Sequence, residues 1–306
     1  MRLALAFSVM SVISGAACGG GGGDDTAGVD AADFGFNKPT GILRANSNDA
    51  EVGDADLTSC AADAATPGVV MLTTEVVDFQ ARDSQGGRVA VPGATVVAFP
   101  GISVDAPFST TTSDSMTGKT TVAIPAGTKR YGFKMTADGQ FPTFLLNQYV
   151  VAANVDGSGN TTDPNVLQSV SNSTAALLPA LIGQTRTQGT GVVAGALRDC
   201  QAHEISNFVV TVSSTSMTQT PISGAQAFYF SLSPELPVHH KQAEAAAANG
   251  LFMVIQLPAS PTAYVQAWGF PTAADMTSGT MKLVSELEVP VLADTVVTGS
   301  FEPIHN

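Results

Sequence analysis

From Val69 onward the dominant repeat along the chain is two residues. Val70, Leu72, Thr74 and Val76 fall on one side of an extended segment, and Val96 and Ala98 follow the turn signal Pro92-Gly93-Ala94. Val122 and Ile124 end at Pro125-Ala126-Gly127, while Tyr131, Phe133 and Met135 end near Asp138-Gly139. Apolar side chains at every second position place one face of a strand in a core and leave the other wet. Short runs of this kind, each closed by Gly or Pro, predict an antiparallel sandwich.

The rhythm breaks between 156 and 190. Asp156-Gly157-Ser158-Gly159-Asn160 reads as a turn, and Asp163-Pro164 sets an N-cap and a first-turn proline before Val166, Leu167 and Val170, which predicts a short helix. Ser173 is the expected cap of a further turn or two through Leu177, Leu178, Leu181 and Ile182, with Gly183 as the stop and Pro179 limiting its regularity. The stretch is expected to be a helical connector packed on a domain face. Period two then returns in Val193 and Leu197, in Phe208, Val210 and Val212, in Phe228 and Phe230, in Phe252 and Val254, and in Tyr264 and Trp268. Leu283, Leu287 and Val289 are expected on one face of a half-exposed strand, with Lys282, Glu286 and Glu288 on the other.

The two β regions look like copies of one plan. Gly93-Ala94-Thr95-Val96-Val97-Ala98-Phe99 parallels Gly224-Ala225-Gln226-Ala227-Phe228-Tyr229-Phe230, and the run from Gly118 through Pro125 to Tyr131 parallels the run from Gly250 through Pro258 to Tyr264. Two copies at so long a period imply tandem domains rather than a solenoid. A Gly-Ala turn into a strand, a Thr-rich segment, an alternating strand, a Pro-Ala turn and an aromatic strand together resemble the carboxypeptidase regulatory-like, transthyretin-like β-sandwich. That family's motif is Gly-x-Phe/Tyr-x-x-x-x-Leu-Pro-x-Gly-x-Tyr. The second copy has Ser260-Pro261 in place of the glycine, and the first has Lys119-Thr120 after Gly118 where the aromatic would stand. The resemblance rests on turn chemistry and implies fold far more than function.

The N-terminus has a basic start at Arg2, an apolar run from Leu3 to Ile13, and the small residues Ser14-Gly15-Ala16-Ala17 before Cys18. Those are the three regions of an export signal, too short to span a bilayer. The cysteine at the cut resembles the lipobox of bacterial lipoproteins, with Gly15 where Leu is usual. The resemblance implies that Cys18 becomes the first mature residue and carries lipid, palmitate included, so that the membrane is met through that group.

Behind Cys18 runs a glycine tract, and between Gly19 and Pro67 nine acidic residues face only Lys38 and Arg44. Low hydrophobicity with unbalanced charge predicts a solvated, disordered tether, reaching about 35–40 Å as a coil of roughly fifty residues. The whole chain has a net charge of −13 and only 13% charged residues, the rest of its polarity coming from Ser and Thr. This is the balance of a secreted β protein, and it excludes nucleic acid as a partner. With Cys18 lipidated, Cys60 and Cys200 are left as an even pair in an oxidising compartment and form a candidate disulfide.

Candidate chemistry is sparse. His239-His240 is a weak candidate for metal, since adjacent histidines on an extended chain point apart and no spacing rule joins them to His203, Glu204 or Glu235. His203-Glu204-Ile205-Ser206-Asn207 has Asn207 where a zinc-protease helix needs its second histidine, and it reads as a loop. The 156–160 turn with Asp163 lacks the ligand pattern of a calcium loop. No serine sits in a nucleophile signature, and Glu286 and Glu288 share a strand face as solvated charges. Tyr264 and Trp268 could form a platform for stacking a sugar ring.

The expected organisation is a signal peptide over 1–17, an acidic flexible tether over 18–66, a β-sandwich over 67–155, the connector over 156–190 and a second sandwich over 191–306. The fold class is all-β: two tandem transthyretin-like or Ig-like antiparallel sandwiches. The function expected is that of a noncatalytic, lipid-anchored protein of the bacterial cell envelope, without cofactor or catalytic residues. It would present binding or structural modules to envelope proteins or glycans. A cell-surface carbohydrate-binding module is the alternative, and an accessory or divergent metal-dependent hydrolase domain a further one.

Overall fold

The computed structural model describes residues 39–162, 166–233, 235–238 and 243–304. The chain is all-β, with two α-helices and a single 3-10 turn (Ala152–Asn154) among the described residues. The N-terminal segment supplies β1 (Arg44–Ser47) and β2 (Ala50–Asp54). The first β region follows as β3 (Val70–Arg82), β4 (Arg88–Ala90), β5 (Thr95–Pro100), β6 (Ser109–Thr112), β7 (Lys119–Ile124), β8 (Tyr131–Thr136), β9 (Gln140–Phe141) and β10 (Thr143–Gln148). The middle stretch holds β11 (Asn160–Thr162), β12 (Leu167–Ser171) and helix α1 (Asn172–Leu181). The second region comprises β13 (Thr190–Leu197), β14 (Glu204–Ser206), β15 (Phe208–Ser213), β16 (Gln226–Phe230), β17 (Pro237–Val238), β18 (Leu251–Pro258) and β19 (Ser260–Gly269), then helix α2 (Ala273–Ser278), β20 (Lys282–Val291) and β21 (Val296–Phe301).

A nine-stranded sheet ordered β17-β16-β18-β13-β21-β10-β8-β5-β6 runs through both β regions. Its join is β21, the last strand, which pairs in parallel with β10 on one side (Thr143 opposite Val296) and with β13 on the other (Val192 opposite Val296). One face of this sheet packs on the three-stranded sheet β15-β19-β20. Phe144, Val193, Phe252 and Val297 from the first meet Phe208, Val210, Val265 and Val289 from the second. On the other face, Val96, Tyr131, Phe133 and Met135 pack against Val70, Leu72, Val122 and Leu167 of the sheet built around β3. Farther along that face, Val192, Phe230, Met253 and Val296 are covered by Val170 of β12 and Ala175 of α1. The inner strands of the large sheet alternate between its two faces, as period two requires.

The long strand β3 serves two sets of partners. Its first half pairs with β7 and β11, its second half with β4 and β12. The two segments alike in sequence are paired differently: β5 pairs with β8, whereas its counterpart β16 pairs with β18. The glycines heading the two matched runs do share a conformation. Gly118 and Gly250 have φ of +67° and +62°, and a Cβ there would lie 2.6 Å from the Val76 carbonyl oxygen and 2.9 Å from that of Leu197.

Four expectations need correction. The stretch before Ser171 is strand, not helix: β12 pairs in parallel with β3, Leu167 opposite Val76, and then with β9, Val170 opposite Phe141, and both Leu167 and Val170 are buried. Helix α1 begins only after it, capped by the Ser171 hydroxyl, which accepts from the Thr174 amide at 3.2 Å. Asp163 and Pro164 lie outside the described residues. The tether does not extend to residue 66, because Leu43 and Ala45 are buried and β1 pairs with β14. That same pairing makes Glu204–Ser206 a strand where a loop was expected. Leu283 does not share a face with Leu287, since a bulge between Ala267 and Trp268 shifts the β19–β20 register, sets Leu283 opposite Trp268 and sends Val284 to the core.

Phe208 is fully buried and packs edge-on against both Tyr229 and Phe252, at centroid distances of 6.4 and 6.2 Å. Truncating it leaves a cavity between the two sheets. Phe208→Ala is expected to cost about 3–5 kcal/mol, read as a fall in the urea midpoint at unchanged slope.

Candidate binding surfaces and cavity

The segment 39–66 crosses both β regions. Leu43 donates its amide to the Phe270 carbonyl at 2.9 Å, and β1 pairs with β14. Past β2, Asp56 accepts from the amides of Thr58 and Ser59 and from the Ser59 hydroxyl, which holds its carboxyl well below the usual carboxylate range. The Asp56 amide donates to Asp199 at 3.2 Å and its carbonyl accepts from Cys200 at 2.9 Å. Cys60 and Cys200 are joined in a disulfide. Asp63 then pairs with Arg130 of the first region, and the Thr66 hydroxyl donates to the Pro125 carbonyl at 2.7 Å. The segment is a strap tied to the second region at one end and to the first at the other.

Arg130 is the hub of the strap's far end. Burial opposes its charge, but the carboxylates of Asp63 and Glu302, the latter at 2.7 Å, outweigh this and raise its pKa. Its guanidinium also lies 4.6 Å from the Tyr149 ring centre.

Under the strap lies a cavity of about 490 Å³. Its floor is the central sheet, where Ala194 and Ala196 of β13 and Thr298 and Ser300 of β21 are small side chains among Val and Phe neighbours. Its roof is Val170, Ala175, Leu178 and Pro179 from β12 and α1, with Phe79 beside them. Because β21 runs parallel to both neighbours, the polar residues gather at one end, where these strands finish. Gln148, Arg198, Ser300 and Glu302 stand there with Asp63 and Arg130. The cavity has an apolar body and a polar mouth.

Tyr264 and Trp268 stand on the outer face of β19, half-buried, while the alternate residues Ala263, Val265 and Ala267 enter the core. Gln266, wholly buried on that outer face, accepts from the Trp268 indole at 3.3 Å and the Ser213 hydroxyl at 2.8 Å, and donates to Glu286 at 2.8 Å. Glu286 also accepts from the Ser216 hydroxyl and the Met217 amide, so it pins the loop after β15. It is a structural acceptor, whereas Glu288 is exposed.

Other candidates are placed as follows. His203 Nδ1 faces Asp199 at 3.3 Å within the turn that carries Cys200. Asp156 accepts from the amides of Ser158 and Asn160, closing its own turn, and these bonds hold its carboxyl below the ordinary range. Cys18, His239 and His240 lie outside the described residues. Among the described residues no group of three or more His, Cys, Asp or Glu is placed to hold a metal, and no helix is long and apolar enough to cross a membrane. The cavity escaped the sequence reading. Its one signal is the small residues at alternate positions of β13 and β21, which have meaning only once those strands are known to be neighbours.

No protein-family model matches the chain, and no curated protein matches it. Among solved structures it is similar to the shaft pilin SpaA of Lactobacillus rhamnosus GG, in a double-mutant form, at 12% identity over 79% of this chain and 99% of that one, with a TM-score of 0.21. It is also similar to the Bacillus anthracis TIE protein, at 10% identity and a TM-score of 0.23, over 76% of this chain and 34% of that one, about a third of its length. At these scores neither likeness bears on what this chain does.

The disulfide closes a loop with a sequence separation of 140. In the chain-entropy model such a loop contributes about 5 kcal/mol. Cys60→Ser is expected to lower the melting temperature and to open the strap to limited proteolysis near 55–64, with little effect on cleavage elsewhere.

Proposed function

We propose that this chain is a noncatalytic structural or presenting protein of the bacterial cell envelope, exported by its leader and anchored through lipid at Cys18. The observation that carries this reading is the strap. The segment adjoining the leader and tether is tied into both β regions by strand pairing, a disulfide and the Asp63–Arg130 ion pair. Tension arriving from an N-terminal anchor would enter the whole β body rather than peel one edge strand. The tether on this reading ends before β1. The polar groups best placed for chemistry, Glu286, Asp199 and Arg130, are each engaged in holding loops or the strap, in keeping with a structural role. Envelope proteins are the partners this reading favours.

Metabolic labelling with an alkyne palmitate analogue tests the anchor. Label is expected on the wild-type chain in the membrane fraction, and both label and membrane retention are expected to vanish in Cys18→Ala. A wild-type chain that is unlabelled and soluble would sink the anchor.

Glycan binding is a second reading, favoured by one observation: Tyr264 and Trp268 lie outside the core, four residues apart on one strand face, which is about 13 Å. Gln266 between them fixes the indole. Trp268→Ala is expected to abolish retention on a polysaccharide column while leaving the melting temperature within a few degrees. Equal retention of the variant and the wild type would remove this surface from consideration.

A further inference from the structure

We infer that the cavity beneath the strap is a binding site for a single-chain acyl lipid with an uncharged, carbonyl-bearing head, such as a monoacylglycerol. The cavity volume of about 490 Å³ falls within the range of roughly 300–1,000 Å³ typical of small-molecule sites. Two further observations select the occupant.

The first is the ordering of polarity along the cavity. The body is walled by Val170, Leu178, Val192, Met253 and Val296, and every charged lining side chain is at the mouth. A long apolar chain with a polar terminus matches this order, and a compact polar metabolite does not.

The second is the state of the polar groups at the mouth. Glu302 accepts from Arg130, which also pairs with Asp63. Asp199 accepts from the amides of Asp56, Gln201 and His203. These carboxylates therefore have donors already. Arg198 gives Nη2 to Glu204 at 2.9 Å, but its Nε is buried and has no acceptor among the described residues. A buried donor without an acceptor is costly, and a ligand oxygen at the mouth would satisfy it. Three carboxylates (Asp63, Asp199, Glu302) against two arginines (Arg130, Arg198) line this end, so an anionic head is disfavoured, while a head that only donates leaves Arg198 unsatisfied. The neutral carbonyl of an acyl ester fits both conditions. The site requires no lipid at Cys18 and stands apart from the anchor.

The test uses the full chain carrying Cys18→Ser, with monopalmitoylglycerol, palmitic acid and hexadecylamine each titrated below its aggregation threshold. Displacement of a fluorescent acyl probe gives affinity, and native mass spectrometry gives stoichiometry. Monopalmitoylglycerol is expected to bind one to one, at least tenfold more tightly than either palmitate at neutral pH or hexadecylamine. Ala194→Phe and, separately, Thr298→Phe fill the floor, and either variant that keeps the wild-type circular dichroism spectrum is expected to lose at least tenfold in affinity. Arg198→Met is expected to erase the preference for the ester over the amine while retaining chain binding. Absence of stoichiometric binding by any of the three lipids, or binding undiminished in a folded floor variant, would overturn the site. Equal or tighter binding of the amine or the free acid would overturn the assigned head.

Discussion

The parallel insertion of β21 between β10 and β13 is the constraint on which the architecture turns. Without it, the strands of residues 67–155 and those after 190 would each end in an open edge. With it they form one sheet, and a sheet edge left unpaired is an invitation to aggregate. The join demands close approach at specific points: a Cβ on Gly195 would lie 2.4 Å from the Phe301 ring, and one on Gly299 would lie 3.2 Å from the Leu146 carbonyl oxygen. Phe301 thus packs where a side chain is missing, and it meets Phe252 edge-on at 4.9 Å. The last strand of the chain is thereby locked at its centre.

That insertion also sets the chemistry of the faces. Parallel neighbours finish at the same end, so the loops after β10 and β13 and the segment following β21 bring Gln148, Arg198 and Glu302 together. The strap then crosses this end, and Arg130 ties it down through Asp63. A cavity with a polar mouth is the geometric result of strand direction combined with four small side chains on the floor. On the opposite face of the same sheet, Phe144, Phe208 and Phe252 pack together in the core between the two sheets.

Much of the fold was legible in the chain. Alternation at Val70 to Val76, Val122 to Ile124, Tyr131 to Met135 and Phe252 to Val254 marked strands that are present, and Gly118 and Gly250 marked turns that need a left-handed residue. The misreadings share a cause. At Leu167 to Val170 an apolar run of a few residues fits helix or strand equally, and only the parallel partner β3 decides. At Leu43 and Ala45, two apolar positions in an acidic, glycine-rich stretch were outweighed by composition until Phe270 and β14 were there to receive them. At Leu283 a bulge, which has no marker in the sequence, reversed the faces.

What the sequence determined by itself is the local and the additive: an acidic, strand-rich chain, the positions of its turns, and which side chains alternate toward a core. These depend on the spacing of neighbours along the chain, which is written in it. What only the tertiary structure decided is which strands meet: that β21 lies between β10 and β13, that Cys60 reaches Cys200, and that Ala194, Ala196, Thr298 and Ser300 share one floor. Partners that are distant along the chain are chosen by the mutual fit of whole faces, and no single segment carries that information.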